Sequence, residues 1–389
     1  MLDYSKILSD SVQDIKPSGI RKFFDLLNER KDVIGLTVGQ PDFVTPWHIR
    51  VAAIESLEKG KTYYTSNSGT LELREAISDY MSRRYSVQYD PKSEIIVTVG
   101  GSEAIDITMR ALINPGDEVI VVQPAFVCYG PLASICGGTP VYINTKEENK
   151  FKLTADELRG AITPKTKLLV LPYPNNPTGA IMTREDLEPI AEVLRETDIM
   201  VLSDEIYCEL TYGREHVTIA SLPGMRERTI IASGFSKTYA MTGWRLGYTL
   251  APAEVTRQML KIHQYGIMCA PTASQFAAVE AMRNGDEDVN MMRAEYNRRR
   301  RYIVGGLQGM GIDCFVPEGA FYVYPNISKF GMSSEEFCQR LLDEMGVAIV
   351  PGTAFGECCE GYARISYAYS VEHIAKALDR IEKFISTLK

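Results

Sequence analysis

The sequence predicts an α/β protein: a large domain on a mostly parallel sheet between helices, with a smaller α+β domain beside it. Three observations predict it. Short runs rich in Val, Ile and Leu, apolar on both faces, recur through the middle of the chain, as strands do when helices cover both sides of a parallel sheet. Helical patterns alternate with these runs, the order that strand–helix–strand crossovers produce. The C-terminal part instead ends on a long amphipathic helix near two isolated strand-like segments.

Taken in order, 72–85 reads as a helix with Leu73, Ile77, Tyr80 and Met81 on one face. Buried strands are expected at 94–99, 118–122, 140–143, 167–171, 199–202 and 229–232, with helices at 101–112, 154–161 and 184–195. Ser370 caps a last helix over 371–388, where Ile374, Leu378, Ile381, Ile385 and Leu388 repeat at helical spacing. Strands near 320–324 and 363–366 join that helix in the smaller domain. A ligand site is expected where the parallel strands end and loops leave the sheet.

Bulk properties narrow the function. The 389 residues are 45% apolar and 24% charged, as in soluble globular proteins. A net charge of −8 argues against nucleic acid as a partner. The longest basic cluster, Arg298–Arg301, reads as a solvated helix face. The start lacks the basic and apolar regions of a signal peptide, and no apolar run reaches membrane-spanning length, so a cytoplasmic protein is expected. The eight cysteines (Cys128, Cys136, Cys208, Cys269, Cys314, Cys338, Cys358 and Cys359) fit neither a zinc site nor a disulfide framework and read as reduced thiols, with the adjacent pair Cys358-Cys359 the one redox candidate. His48, His216, His263 and His373 are scattered, and no metal is expected.

Five segments carry chemistry. Lys237, in Ser233-Gly-Phe-Ser-Lys-Thr-Tyr-Ala-Met-Thr-Gly-Trp-Arg-Leu-Gly247, follows a buried strand among hydroxyls and glycines, with Arg245 eight residues on. A lysine that does covalent chemistry must be neutral, held still and partly desolvated. In Val97-Thr-Val-Gly-Gly-Ser102 a strand runs through two glycines into a helix, whose free N–H groups suit a phosphate; a tight βα turn is the plain alternative. Leu169-Val-Leu-Pro-Tyr-Pro-Asn-Asn-Pro-Thr-Gly179 ends a strand in a rigid turn that presents Asn176, a donor for a phenolate or carboxylate, or simple turn punctuation. Asp204 closes an apolar strand, and a carboxylate there needs a cationic partner unless it caps a helix; Tyr207 comes three residues later. Arg364, among apolar neighbours in Gly361-Tyr-Ala-Arg-Ile-Ser366, suits a planar anion or an internal salt bridge. A Schiff-base lysine, a phosphate cup, a buried carboxylate for a ring nitrogen, donors for a ring oxygen and a carboxylate-binding arginine are together what pyridoxal phosphate requires.

With these motifs in this order, the chain resembles the class I aminotransferases, the aspartate aminotransferase-like enzymes of fold type I, from Leu36-Thr-Val-Gly-Gln-Pro-Asp-Phe43 to Arg364. Within them it is most similar to the bacterial aminotransferase A group of N-acetyl-LL-diaminopimelate aminotransferases. The resemblance implies a seven-stranded sheet and a division into an N-terminal arm with part of the small domain (1–48), a large cofactor domain (49–285) and a small C-terminal domain (286–389). It implies that Lys237 forms the Schiff base with pyridoxal 5'-phosphate and shuttles the proton, that Asp204 pairs with the ring nitrogen, and that Asn176 and Tyr207 hold the ring oxygen. Gly101, Ser102, Ser236 and Arg245 fall at the phosphate, Phe126 where an aromatic stacks on the ring, and Arg364, Asn176 and Gly39 at the substrate carboxylate. Tyr64 matches a tyrosine that reaches the neighbouring subunit's phosphate, so a homodimer with shared sites is implied. One position departs: many relatives carry Ser or Thr where this chain has Gly234, and Ser233 or Ser236 is expected to compensate.

The activity so implied is transfer of an amino group between an L-amino acid and a 2-oxo acid, with glutamate and 2-oxoglutarate as one couple. N-acetyl-LL-2,6-diaminopimelate, aspartate and aromatic amino acids are the candidate substrates. β-Elimination on the same fold, as in C–S β-lyases, and a non-catalytic cofactor-sensing regulator are the alternatives. Side-chain selectivity is expected from loops such as Lys16–Ile20 and the region near Tyr265.

Overall fold

In the computed structural model, which describes residues 2–17, 19 and 32–388, a two-residue strand, β1 (Ile34–Gly35), precedes the seven strands of the main sheet. These are β2 (Ile95–Thr98), β3 (Glu118–Gln123), β4 (Thr139–Asn144), β5 (Thr166–Leu171), β6 (Met200–Asp204), β7 (Thr229–Gly234) and β8 (Gly247–Leu250). They lie in the order β2-β8-β7-β6-β5-β3-β4. β3 pairs in parallel with β4 and β5, and the parallel run continues through β6 to β7. β8 alone runs the other way, between β2 and β7.

Alternate residues of one strand enter different cores. Val119 and Val121 pack with Leu168, Val170, Leu202 and Ile230 in one cluster, and Ile120 and Val122 with Leu169, Leu171 and Val201 in another. Both faces of the sheet are therefore covered, which is why these strands read as unbroken apolar runs. The helices Gly101–Leu112, Ala155–Ala161 and Arg184–Arg195 form where their patterns place them. Thr154 and Thr183 close capping boxes at two of them, and Thr70 caps Leu71–Tyr85. β8 is the main-sheet strand absent from the sequence expectations: Gly-Tyr-Thr-Leu is short, only half apolar, and directly succeeds the chemistry-bearing motif around Arg245. The short β1 and two short strands near the C-terminus are absent from them too.

The C-terminal part carries β9 (Tyr322–Val323), β10 (Val347–Ala348), β11 (Val350–Pro351) and β12 (Ala363–Ser366). β12 is the middle of a three-stranded antiparallel sheet with β9 and β11. β10 pairs in parallel with β1, so the N-terminal segment is stitched to the C-terminal part of the chain. Helices Asp286–Gly309, Ser334–Met345 and Val371–Thr387 cover this region with Tyr296, Ile303, Phe337, Leu341, Ile374, Ile381 and Phe384. Ser370 caps the last of them, accepting from the His373 N–H at 3.2 Å. Among the described residues no helix is long and apolar enough to cross a membrane.

Candidate active site

The parallel strands β2, β5, β6 and β7 end at one edge of the sheet, and the segments leaving them face a single cavity of about 250 Å³. β2 leads into Gly100-Gly101 and the helix Gly101–Leu112; β5 leads to Asn176; β6 ends on Asp204; β7 delivers Ser236 and Lys237. Gly39, Gly101, Ser102, Phe126, Asn176, Asp204, Tyr207, Ser236, Lys237, Arg245 and Arg364 all line it. Tyr64 does not: it is 77% exposed on the surface. Tyr265 is likewise exposed, at 88%. Within the Lys16–Ile20 loop, residues 18 and 20 lie outside the described residues.

The Lys237 amine donates to the Gly39 carbonyl at 2.6 Å. Burial, together with the charges of Arg245 and Arg364, brings its pKa down to about 8 against the pull of Asp204. A neutral amine is therefore accessible just above neutrality, which nucleophilic attack on a carbonyl requires. Gly39 lacks a side chain for a reason: a Cβ there would sit 2.1 Å from the Tyr322 hydroxyl.

Asp204 is buried at 8% exposure. Its Oδ1 accepts from the Ile206 N–H at 3.1 Å and its Oδ2 from the Tyr129 hydroxyl at 2.6 Å. Burial pushes its pKa up despite both hydrogen bonds. Among the described residues no ion pair with an arginine, lysine or histidine neutralises it, and no helix begins after it to be capped. A buried carboxylate in this state fits a cationic ring nitrogen.

At the glycine turn, Gly100 has φ of +81°, a backbone state that favours glycine. A Cβ on Gly100 would lie 2.5 Å from the Arg245 guanidinium, so the missing side chain lets the arginine close over the helix N-terminus. Helix N–H groups, Ser102, Ser236 and Arg245 make an anion site with the donors a phosphate needs. Gly234 is explained here too. A Cβ there would meet the Gly247 Cα at 2.9 Å and the Leu246 carbonyl at 3.0 Å, where Gly234 of β7 pairs with Gly247 of β8. Of the two serines expected to compensate, Ser236 faces the cavity, whereas Ser233 turns away and donates to the Glu205 carbonyl at 3.1 Å.

Arg364 is 2% exposed. Its Nη1 donates to Asn176 Oδ1 at 2.9 Å and its Nη2 to the Thr37 carbonyl. The guanidinium lies between the rings of Tyr322 and Phe355, 4.5 and 4.9 Å from their centroids. Among the described residues no carboxylate pairs with it, and its Nε has no hydrogen-bond partner. A buried charged donor left unpaired costs roughly 1–3 kcal/mol or more, which a substrate carboxylate would recover. With its oxygen on Arg364, the Asn176 amide keeps its NH₂ for a second ligand atom.

Two cavity residues escaped the sequence reading. Tyr129 holds Asp204, and the Tyr322 hydroxyl meets that of Tyr207 at 2.8 Å. Tyr322 sits in a segment read only as a strand, and nothing local to Tyr129 marks its hydroxyl as a partner of a residue in β6.

Known proteins resemble this chain over almost its whole length. The family model for aminotransferase class I and II matches residues 31–381. A Bacillus subtilis protein named "Putative aminotransferase YugH" is 53% identical, covering 97% of this chain and 98% of its own. The same organism's "Probable N-acetyl-LL-diaminopimelate aminotransferase" is 46% identical, covering 97% and 96%. The crystal structure of an aromatic aminotransferase from Pyrococcus horikoshii superposes with a TM-score of 0.90 at 44% identity, covering 94% of this chain and 99% of that one. The orphaned carboxylate, the unpaired guanidinium, the glycine-lined anion site and the low-pKa lysine fit the family's cofactor, and the chain belongs to the class I and II aminotransferases, fold-type I enzymes that use pyridoxal 5'-phosphate.

Proposed function

We propose that this aminotransferase moves the amino group of an L-amino acid to a 2-oxo acid, with glutamate and 2-oxoglutarate as one couple and N-acetyl-LL-2,6-diaminopimelate as the substrate class of the other. The observation that carries the first part is the placement of Lys237, Asp204 and Arg364 around one cavity. The 46% identical relative's name supports the second.

Bound at this site, pyridoxal phosphate supplies a ring that accepts the electron pair left when the substrate Cα loses its proton. The protein's own groups do the rest. Arg364, Asn176 and the Gly39 backbone orient the α-carboxylate, which fixes the Cα–H bond relative to the ring. Lys237 Nζ takes the Cα proton and would deliver it to the cofactor's C4′ carbon. Asp204, steadied by Tyr129 and the Ile206 N–H, keeps a proton on the ring nitrogen. Tyr207 and the free end of the Asn176 amide donate to the ring oxygen, with Tyr322 orienting the Tyr207 hydroxyl. Phe126 would cover one ring face, and Gly101, Ser102, Ser236 and Arg245 would hold the phosphate.

Tyr64 belongs to the same proposal. Its exposure, away from its own cavity, suits a side chain that completes the phosphate site of a second subunit. The pairing of β1 with β10 supports grouping 1–48 with the small domain of 286–389, apart from a large domain of 49–285.

The test is an absorbance scan of the purified protein with L-glutamate. The visible band should shift to the shorter-wavelength amine form of the cofactor and return when a 2-oxo acid is added. The 2-oxo acid of N-acetyl-LL-2,6-diaminopimelate should restore it faster than aromatic 2-oxo acids or oxaloacetate. Pyruvate and ammonia released without an acceptor would mark β-elimination instead.

A further inference from the structure

The cysteine pair that the proposed reaction does not use lies on the turn next to the one that supports Arg364. Two short 3-10 turns, Gly352–Phe355 and Glu357–Cys359, come after β11 and are joined by Gly356. Of the eight cysteines only Cys358 is exposed, while its neighbour Cys359 is buried at 1% exposure. Their sulfurs are 3.6 Å apart. The Cys358 sulfur also lies 3.7 Å from Gln123 Oε1, at the end of β3.

Two contacts run from Phe355, on the preceding turn, to the cavity. The Phe355 ring supports the Arg364 guanidinium at 4.9 Å. The Phe355 carbonyl accepts from the Ala125 N–H at 3.4 Å, one residue before Phe126. Cys359 itself packs in the core that holds Phe355 and Tyr324. Only Gly356 and Glu357 separate the pair from Phe355, which gives a change in its backbone a short path to Arg364 and Phe126.

We propose that Cys358 and Cys359 are an oxidisable dithiol: a low-molecular-weight disulfide converts them to a vicinal disulfide, and the displaced turn weakens the hold of Arg364 on the amino-acid substrate. The chemistry balances in two exchanges. The Cys358 thiolate attacks one sulfur of the small disulfide, forming a mixed disulfide and releasing one small thiol. The Cys359 sulfur, losing its proton to solvent, then attacks the Cys358 sulfur and expels the second small thiol. Two protein thiols are oxidised, and one small disulfide is reduced to two thiols.

The environment suits this order. Its hydrogen bond with Cys359 holds Cys358 below the usual thiol pKa, which makes it the attacking thiolate. Cys359 is held well above that range by its bond to Cys358, by burial and by the Cys358 charge. Once Cys358 is in a mixed disulfide, its charge no longer raises Cys359. The other partly exposed thiols, Cys128, Cys136 and Cys269, have no adjacent cysteine in sequence.

The ring is strained, which is why it acts on the turn. Bonded sulfurs lie about 2.0 Å apart, and relaxed bridges hold Cα atoms roughly 4.4–6.8 Å apart, whereas adjacent Cα atoms are only about 3.8 Å apart. The peptide between the cysteines must rotate out of its 3-10 geometry. The bond from the Cys359 N–H to the Gly356 carbonyl, 3.0 Å, is then lost. Strained, exposed disulfides are easily reduced again, so the change is reversible.

The inference rests on the aminotransferase reading for its effect on substrate, and its chemistry is measured separately. Purified holoenzyme is incubated with oxidised glutathione, then analysed by intact mass, by peptide mapping and by KM for L-glutamate. The expected result is a mass lower by two hydrogens, mapped to the peptide holding Cys358 and Cys359, and a KM raised about tenfold. Dithiothreitol should reverse both. Cys358→Ser should keep the basal KM and show neither change. No modification at the pair, a glutathione adduct that persists on Cys358, or a disulfide that leaves KM unaltered would each overturn the proposal. Mass and peptide map do not depend on turnover, so a preparation inactive toward glutamate still tests the dithiol independently of the proposed function.

Discussion

The two ends of the cavity are built differently. At the end assigned to the cofactor, Asp204, Ser236 and Lys237 stand at or just beyond the ends of β6 and β7, which pair in parallel, and Gly101 and Ser102 follow β2, which is held in the same sheet by antiparallel β8. At the carboxylate end, Arg364 sits on a four-residue strand and is held by Thr37, Asn176, Tyr322 and Phe355, from four separate stretches of chain. The first end is rigid because the sheet makes it so. The second exists only while the N-terminal segment, the Asn-Pro turn and the small sheet remain packed together. On the proposed assignment, cofactor chemistry is anchored to the main sheet and substrate grip to a joint between parts.

Substitutions at each end should separate the two. The largest effect is expected at Lys237: Lys237→Ala should cut transamination by roughly 10³-fold or more, on the order of a lost proton-transfer group together with the lost covalent anchor. Cofactor should still bind through the anion site, which equilibrium dialysis would show; a variant with near-normal turnover would remove Lys237 from the reaction.

Arg364→Gln should act next most strongly and on the other end alone. Losing a buried charge-assisted pair costs about 2–3 kcal/mol, or roughly 30- to 150-fold in kcat/KM, carried by KM for both amino and oxo acids. The visible spectrum of the resting enzyme should not change. A shifted spectrum with unaltered KM would mean that the two ends are one unit.

A smaller effect, on stability, is expected from Gly234→Ser, which introduces the hydroxyl that the family resemblance leads one to expect at this position. Its Cβ would press on Gly247 and Leu246, and overpacking of this kind costs roughly 1–3 kcal/mol. Thermal unfolding should fall by several degrees without any gain in cofactor affinity. A more tightly bound cofactor would show that β8 yields and that the serine supplies a phosphate contact.

The mildest test is pH. The lysine pKa is depressed, from 10.5 to about 8, so the amine is mostly protonated below that value and mostly neutral above it. Capture of added pyridoxal phosphate by the cofactor-free protein should accelerate as pH rises through about 8 and then level off. The same shift means that the unfolded chain binds more protons than the folded one between 8 and 10.5, so folded stability contributed by this group rises with pH across that window. A capture rate still climbing well beyond that value would mean that Lys237 is not desolvated as described.

The difference between the two ends also explains what the chain shows locally and what it hides. Asp204, Lys237 and the Gly100-Gly101 turn announce themselves, because each is a polar or flexible residue placed where an apolar run stops, and the run itself predicts the strand. Tyr129 and Tyr322 do not, since a tyrosine near a strand is ordinary and its partner lies far away in sequence: 75 residues for Tyr129 and Asp204, 115 for Tyr322 and Tyr207. β8 escapes a pattern reading for a related reason. Its residues are chosen for the closeness of Gly247 to Gly100 and Gly101, where a Cβ would lie 2.6 Å from the backbone, and not for an apolar pattern.

The sequence by itself determined the alternation of strands and helices, the burial of both sheet faces and the residue types that meet at the strand ends, because hydrophobic period and local capping are properties of neighbouring residues. Only the tertiary structure decided that Ser233 turns away, that Gly234 has no room for a side chain, that Arg364 stacks between Tyr322 and Phe355, and that the cysteine turn stands behind it. Those facts depend on distances between segments far apart in the chain, and such distances are set when the sheets and their helices pack, not by any local pattern.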